Sequence, residues 1–246
     1  MKTIIVTQDD PFYSPVFFSN FLKNNTTEAV IILPTLNQKN ESHLKLIMSF
    51  YGFWGFTKLG MELGLKGFLN LFNKDLFTES ILKKHNIPFF HTNNINSPDT
   101  LAKIRSISPE LIVAIGAPQI FKPEVLKIPP KGCINIHESP LPKYKGVFPI
   151  FWQLLHGEEQ IGITIHEMDE KIDEGRNIMQ KYFKHDNKSF HKLMKTAYKT
   201  AAQMLEEVLG NFDESTFKEP GPESSYFSLP DAGAIKKFKQ KGLRIN

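Results

Sequence analysis

One cysteine, Cys133, stands in 246 residues. No disulfide can therefore form within the chain, and the expected setting is the reducing cytoplasm. Cys133 lies in an apolar run and reads as a small core filler rather than a nucleophile. No Gly-x-Gly-x-x-Gly follows the first apolar run, so a dinucleotide site is not indicated. The net charge is only +4. Such a balance admits an anionic ligand but lacks the concentrated basic stripe of a nucleic-acid grip, so no nucleic-acid partner is expected. A membrane span is also missing. The segment Phe50 to Phe72 is the richest in aromatics and leucine, yet Lys58, Glu62, Lys66 and Asn70 interrupt it at every fourth residue. That spacing predicts an amphipathic helical insertion. Met1 to Thr7 is too short and too soon polar for a signal peptide. The eight histidines show no metal-ligand spacing, so no metal is expected.

What is present is ordinary globular material, 41% hydrophobic and 23% charged. Short apolar runs read as strands at 2–7, 29–33, 88–90, 111–115, from 133, 162–168 and 177–183. Helical patterns separate them at 16–23, 78–85, 149–156 and 189–209. A further helix is opened by Ser97 as N-cap and Pro98 as first helical residue. Alternation of this kind predicts an α/β fold, a mostly parallel twisted sheet with helices on both faces. Residues 1–210 are expected to form one domain with a helical insertion at about 41–72. Residues 211–246 lose the alternation and read as a C-terminal extension that wraps the domain and ends in a short basic helix.

The chain is organised around residues 132–146, Gly-Cys-Ile-Asn-Ile-His-Glu-Ser-Pro-Leu-Pro-Lys-Tyr-Lys-Gly. The first half is a strand and the second, with its prolines, an ordered loop. Asn135 and His137 are two apart and project from one face. A buried strand face carries an amide and an imidazole only where both have partners, which marks them as reactive groups.

The run Asn135-Ile136-His137-Glu138-Ser139-Pro140-Leu141-Pro142, then Lys143-Tyr144-Lys145-Gly146 and Pro149, resembles the signature of the folate-dependent formyltransferases. Gly162-Ile163-Thr164 and the closing Asp173-Glu174-Gly175 resemble that family's Gly-x-Thr strand and Asp-x-Gly turn. The likeness covers about Lys2 to Phe183. It implies a Rossmann-like formyltransferase fold and transfer of a formyl group from N10-formyltetrahydrofolate to a primary amine. Asn135, His137 and Asp173 match the family's catalytic positions. The chemistry agrees, since an amine attacking a formyl carbon creates an oxyanion that needs a donor, and a proton that must be removed. Asn135 suits the first task, and His137 can donate or shuttle a proton. Asp173 can orient His137 or take the amine's proton through water.

The resemblance also implies that the pterin sits between two loops. One is Ala117, Pro118, Gln119, Ile120 and Phe121; the other runs through Met168, Asp169, Glu170 and Ile172. Lys143 and Lys145 are candidates for acceptor phosphates, and Asp10, Tyr13 and Ser139 for other acceptor contacts. His166 reads as a plain strand residue. After the first strand, Thr7-Gln8-Asp9-Asp10-Pro11-Phe12-Tyr13 departs from the Gly-rich phosphate loop of the glycinamide ribonucleotide enzymes. Only 211–246 stands where the methionyl-tRNA enzymes add a C-terminal domain, so tRNA is not the expected acceptor. The hydrolases of this family usually bear an N-terminal regulatory domain that is not expected here; hydrolase activity, methionyl-tRNA formylation and folate binding without turnover stand as the alternatives. A nucleotide-linked amino sugar is left as the expected small-molecule acceptor, with a homodimer left open.

Overall fold

The computed structural model describes residues 1–35, 57–58, 60–69, 76–185 and 189–245. Most of the expected 41–72 insertion lies outside the described residues; within it, 60–69 is helical and is called α2 here.

Five strands run parallel: β1 (Thr3–Gln8), β2 (Ala29–Leu33), β3 (Phe89–His91), β4 (Leu111–Ile115) and β5 (Cys133–His137). β-branched residues dominate the central strands, and β2 and β4 are buried along their whole length, as a sheet covered on both faces requires. Two further strands, β7 (Gln160–Glu167) and β8 (Asn177–Lys184), extend the sheet antiparallel beyond β5, giving the order β3-β2-β1-β4-β5-β7-β8. The order reverses between β1 and β4, the place where an open α/β sheet leaves a crevice at its strand ends.

Side-chain alternation sorts the core into two layers. Ile5, Val113, Ile134 and Ile136 face α1 (Ser14–Phe21), α6 (Pro149–His156) and α7 (Phe190–Gly210). Ile4, Val6, Ile112, Ala114 and Cys133 face α4 (Pro98–Ile107) and the short α5 (Pro123–Leu126). α3 (Thr78–Lys84) leads into β3, at the sheet edge. Ser97 caps α4 as its sequence predicts, accepting a hydrogen bond from the Thr100 amide. Cys133 is buried, and burial pushes its thiol up to about 12, consistent with a filler.

In α2, Glu62 and Lys66 of the polar stripe turn toward the domain, while Lys58, before it, is exposed and Asn70 lies outside the described residues. Lys66 Nζ donates to the Pro11 carbonyl at 2.9 Å and Glu62 lies 3.6 Å from Lys195, while Met61 and Leu65 are exposed. Beyond α7 the chain returns to the domain. Residues Tyr226–Phe227 (β9) pair with Lys145–Gly146 (β6), and α8 (Ala232–Gln240) packs Phe238 on Phe151 with ring centroids 4.5 Å apart. No helix among the described residues is long and apolar enough to cross a membrane.

Candidate active site

Strand β5 supplies the first two groups. Its register sets Asn135 opposite His166 of β7, and directly opposed residues share a face of the sheet. The Asn135 amide Nδ2 stands 3.2 Å from His166 Nε2, and His166 Nδ1 donates to the Glu167 carbonyl at 2.7 Å. The second bond fixes the His166 tautomer: Nδ1 carries the hydrogen and Nε2 accepts from Asn135. Asn135 thereby presents one N–H to His166 and keeps a second for another acceptor.

The carboxylate arrives over the same face. The turn between β7 and β8 folds back so that Asp173 Oδ1 lies 3.6 Å from His166 Nε2 and Oδ2 lies 3.7 Å from His137 Nε2. Asp173, its side chain 9% exposed, holds a left-handed φ of 53° and accepts the Gly146 amide at 2.9 Å. The Asp-x-Gly spacing has a steric basis: a Cβ on Gly175 would sit 2.0 Å from the Glu167 carbonyl oxygen, so only glycine lets the turn close on β7. Gly-x-Thr has one as well. A Cβ on Gly162 would meet Pro140 at 2.6 Å, and Thr164 Oγ1 accepts from the Leu141 amide and donates to the Ser139 carbonyl. The strand thus docks the loop that follows His137. His137 Nε2 donates to the Tyr144 carbonyl at 3.0 Å, which leaves Nδ1 as the acceptor of the neutral ring.

Burial chiefly, and the neighbouring His137 charge next, pull the His166 pKa down to about 4. His166 is therefore neutral across the physiological range, as its acceptor role requires. Between about pH 6.5 and 4 the unfolded chain binds more protons at this group than the folded one. Stability should then be greatest above pH 6.5 and fall as the pH drops to 4. His191, whose pKa burial also lowers to about 4, acts in the same direction. Urea midpoints measured from pH 7 to pH 4 check this, and His166→Gln should flatten the profile.

The structure brings Asn135, His137 and Asp173 together and adds His166, a plain strand residue by its sequence. The opposition of His166 to Asn135 depends on strand register, which no spacing within the chain reveals. Other candidates are redirected. Asp10 is buried, and its carboxyl accepts the amides of Phe12, Tyr13 and Ser14 at 2.7–3.0 Å. It closes the start of α1 rather than facing an acceptor, because helix N-terminal amides need partners. Tyr13 is buried with its hydroxyl 3.0 Å from His191 Nδ1. Ser139 is fully buried, and its hydroxyl donates to the Lys143 carbonyl. Lys143 and Lys145 are ion-paired with Glu223 and Glu174, at 2.7 and 2.9 Å.

Two loops border the site. Ala117 and Met168 pack against the core at their bases, while Ile120 and Ile172 stand exposed. Gln119 accepts the Ile95 amide and donates to the Asn93 carbonyl, tying the first loop to its neighbour, and Phe121 is buried beneath it. Pro118, Asp169 and Glu170 lie on the same two loops. Among the described residues no group of three or more His, Cys, Asp or Glu is arranged to hold a metal ion.

The chain is 41% identical over 101 residues to the methionyl-tRNA formyltransferase of Geobacter metallireducens, covering 41% of this chain and 32% of that protein. It is 36% identical over 132 residues to the Thermotoga maritima methionyl-tRNA formyltransferase, covering 53% of this chain and 42% of the other. The chain thus spans less than half the length of these curated relatives. Its fold is similar to that of a sugar N-formyltransferase from Shewanella, with TM-score 0.59 and 19% identity over 93% of this chain and 77% of that one. It is likewise similar to an N-formyltransferase from Helicobacter canadensis solved with folinic acid and dTDP-3-aminofucose, at TM-score 0.58 and 19% identity, covering 93% and 71% of the two chains. The model of the formyl transferase family matches residues 69–209, more than half of the sequence and the part that carries Asn135, His137, His166 and Asp173, and it is to this family that the protein belongs.

Proposed function

We propose that the protein transfers a formyl group from N10-formyltetrahydrofolate to a primary amine, and that the amine is an amino sugar on a nucleotide carrier. The observation that carries this reading is the meeting of Asn135, His137 and Asp173 on one sheet face, within the stretch the family model matches. The donor supplies an acyl carbon already activated for attack. Ala117 to Phe121 and Met168 to Ile172 would hold its pterin, the exposed Ile120 and Ile172 offering apolar surface to the ring.

Each side chain then has a task. The Asn135 N–H not used by His166 donates to the oxygen that gains charge as the amine attacks. The buried His137 imidazole, fixed at Nε2 by the Tyr144 carbonyl, passes the attacking amine's proton at its other nitrogen toward N10, whose bond to the formyl carbon then breaks to release tetrahydrofolate. Asp173, within 4 Å of both imidazoles, favours the charged ring that forms when a proton arrives. No metal is required for these steps.

The acceptor class is that named with the Helicobacter canadensis enzyme. A second reading, methionyl-tRNA as acceptor, is favoured by the identity to the curated relatives. One experiment separates them. Purified protein is given the formyl donor with a panel of nucleotide-linked amino sugars, with methionyl-tRNA, or with no amine. Mass gain of one formyl group on a sugar is the expected result. Formylation of the tRNA alone selects the second reading, and donor turnover without any amine replaces both with hydrolysis.

A further inference from the structure

The loop that orients the site is itself held by the C-terminal segment, beyond the stretch matched by the family model. β9 lies alongside β6: the Lys145 amide donates to the Ser225 carbonyl and the Val147 amide to the Phe227 carbonyl, each at 2.9 Å. The Ser225 amide in turn donates to the Pro142 carbonyl at 3.2 Å. The loop carries both backbone groups that fix the reactive side chains. The Tyr144 carbonyl accepts from His137 Nε2, and the Gly146 amide donates to Asp173 Oδ2.

Tyr144 is the joint between the two. It is not glycine, yet its φ is +62°, a conformation that persists only where the surroundings impose it. Three contacts impose it here. Its amide donates to Ser225 Oγ at 2.9 Å, its ring stacks on Phe227 with centroids 5.5 Å apart, and its hydroxyl donates to Glu158 at 2.7 Å. The first two come from the C-terminal segment. Ser225 Oγ and His137 Nε2 therefore grip the amide and the carbonyl of one residue.

Given the formyl-transfer reading, we infer that residues 225–227 are a strap that sets the orientation of His137 and Asp173, with Ser225 as a positioning residue acting through Tyr144. The strap touches no reacting atom. A catalytic group displaced by a fraction of an ångström loses rate even though the fold persists.

The test is Ser225→Ala in the full chain, with Ser225→Thr as the conservative variant that keeps the acceptor. Ser225 is only half-buried, so removing its hydroxyl leaves the core intact. The alanine variant should lose roughly 10- to 100-fold in kcat with the donor KM unchanged and the melting temperature within a few degrees of wild type, and threonine should restore most of the rate. A second readout does not depend on turnover. Proton–nitrogen spectra of protein labelled at histidine should report His137 as the Nε2–H tautomer in the wild type, and a mixture of tautomers in Ser225→Ala. Wild-type kcat and an unchanged His137 tautomer in Ser225→Ala would overturn the strap. So would a rate loss shared equally between kcat and KM that tracks unfolding. If the wild type formylates no amine, the functional reading falls, and the tautomer comparison still decides whether the segment orients His137.

Discussion

Asn135→Ala should lower kcat by about 10²- to 10³-fold, the loss seen when one oxyanion donor is deleted, or roughly 3–4 kcal/mol of barrier. The effect is expected in kcat rather than KM, because the oxygen gains its charge only as the amine attacks. Asn135 is well placed for such a role. His166 holds its amide by one N–H, so the group does not have to be oriented during the reaction. The alanine also leaves the His166 acceptor without its partner, so the melting temperature should drop modestly and must be recorded beside the rate. Asn135→Asp separates the two effects. It keeps the shape but replaces the donor with an acceptor, and it should be at least as inactive as alanine. A fully active Asn135→Ala would remove the oxyanion role.

Asp173→Asn should cost about 10²- to 10⁴-fold in kcat, the range for removing a participant in general acid–base catalysis. Asparagine is the informative substitution because of the backbone. Position 173 sits at φ +53°, which asparagine accepts more readily than most side chains, so the turn is preserved while the charge is removed. The amide retains an oxygen to accept the Gly146 N–H. What disappears is the negative charge within 4 Å of both imidazoles, so the charge that develops as the proton moves loses its stabilising partner and the loss should fall on kcat. Steady-state kcat, with thermal unfolding as the control, checks this. Unchanged kcat in a folded Asp173→Asn would leave the carboxylate a purely structural role.

The sequence by itself determined the α/β alternation, the central strands within a residue or two, and the Asn135, His137 and Asp173 positions. Those are local signals: short continuous apolar runs, turn residues, and short motifs whose glycines answer to steric contacts at 162 and 175. Tertiary structure alone decided the rest. That Asp10 serves its own helix, that Ser139 is sealed in the loop, and that Glu62 and Lys66 of α2 turn toward the domain all depend on which surface a residue meets after folding. The antiparallel turn of β7 put His166 beside Asn135, a fact of register between strands some thirty residues apart. The pairing of Tyr226–Phe227 with Lys145–Gly146 involves two residues on each side, too few to leave any periodicity. Both arrangements rest on hydrogen bonds between distant backbone groups, and every residue type but proline carries those groups alike.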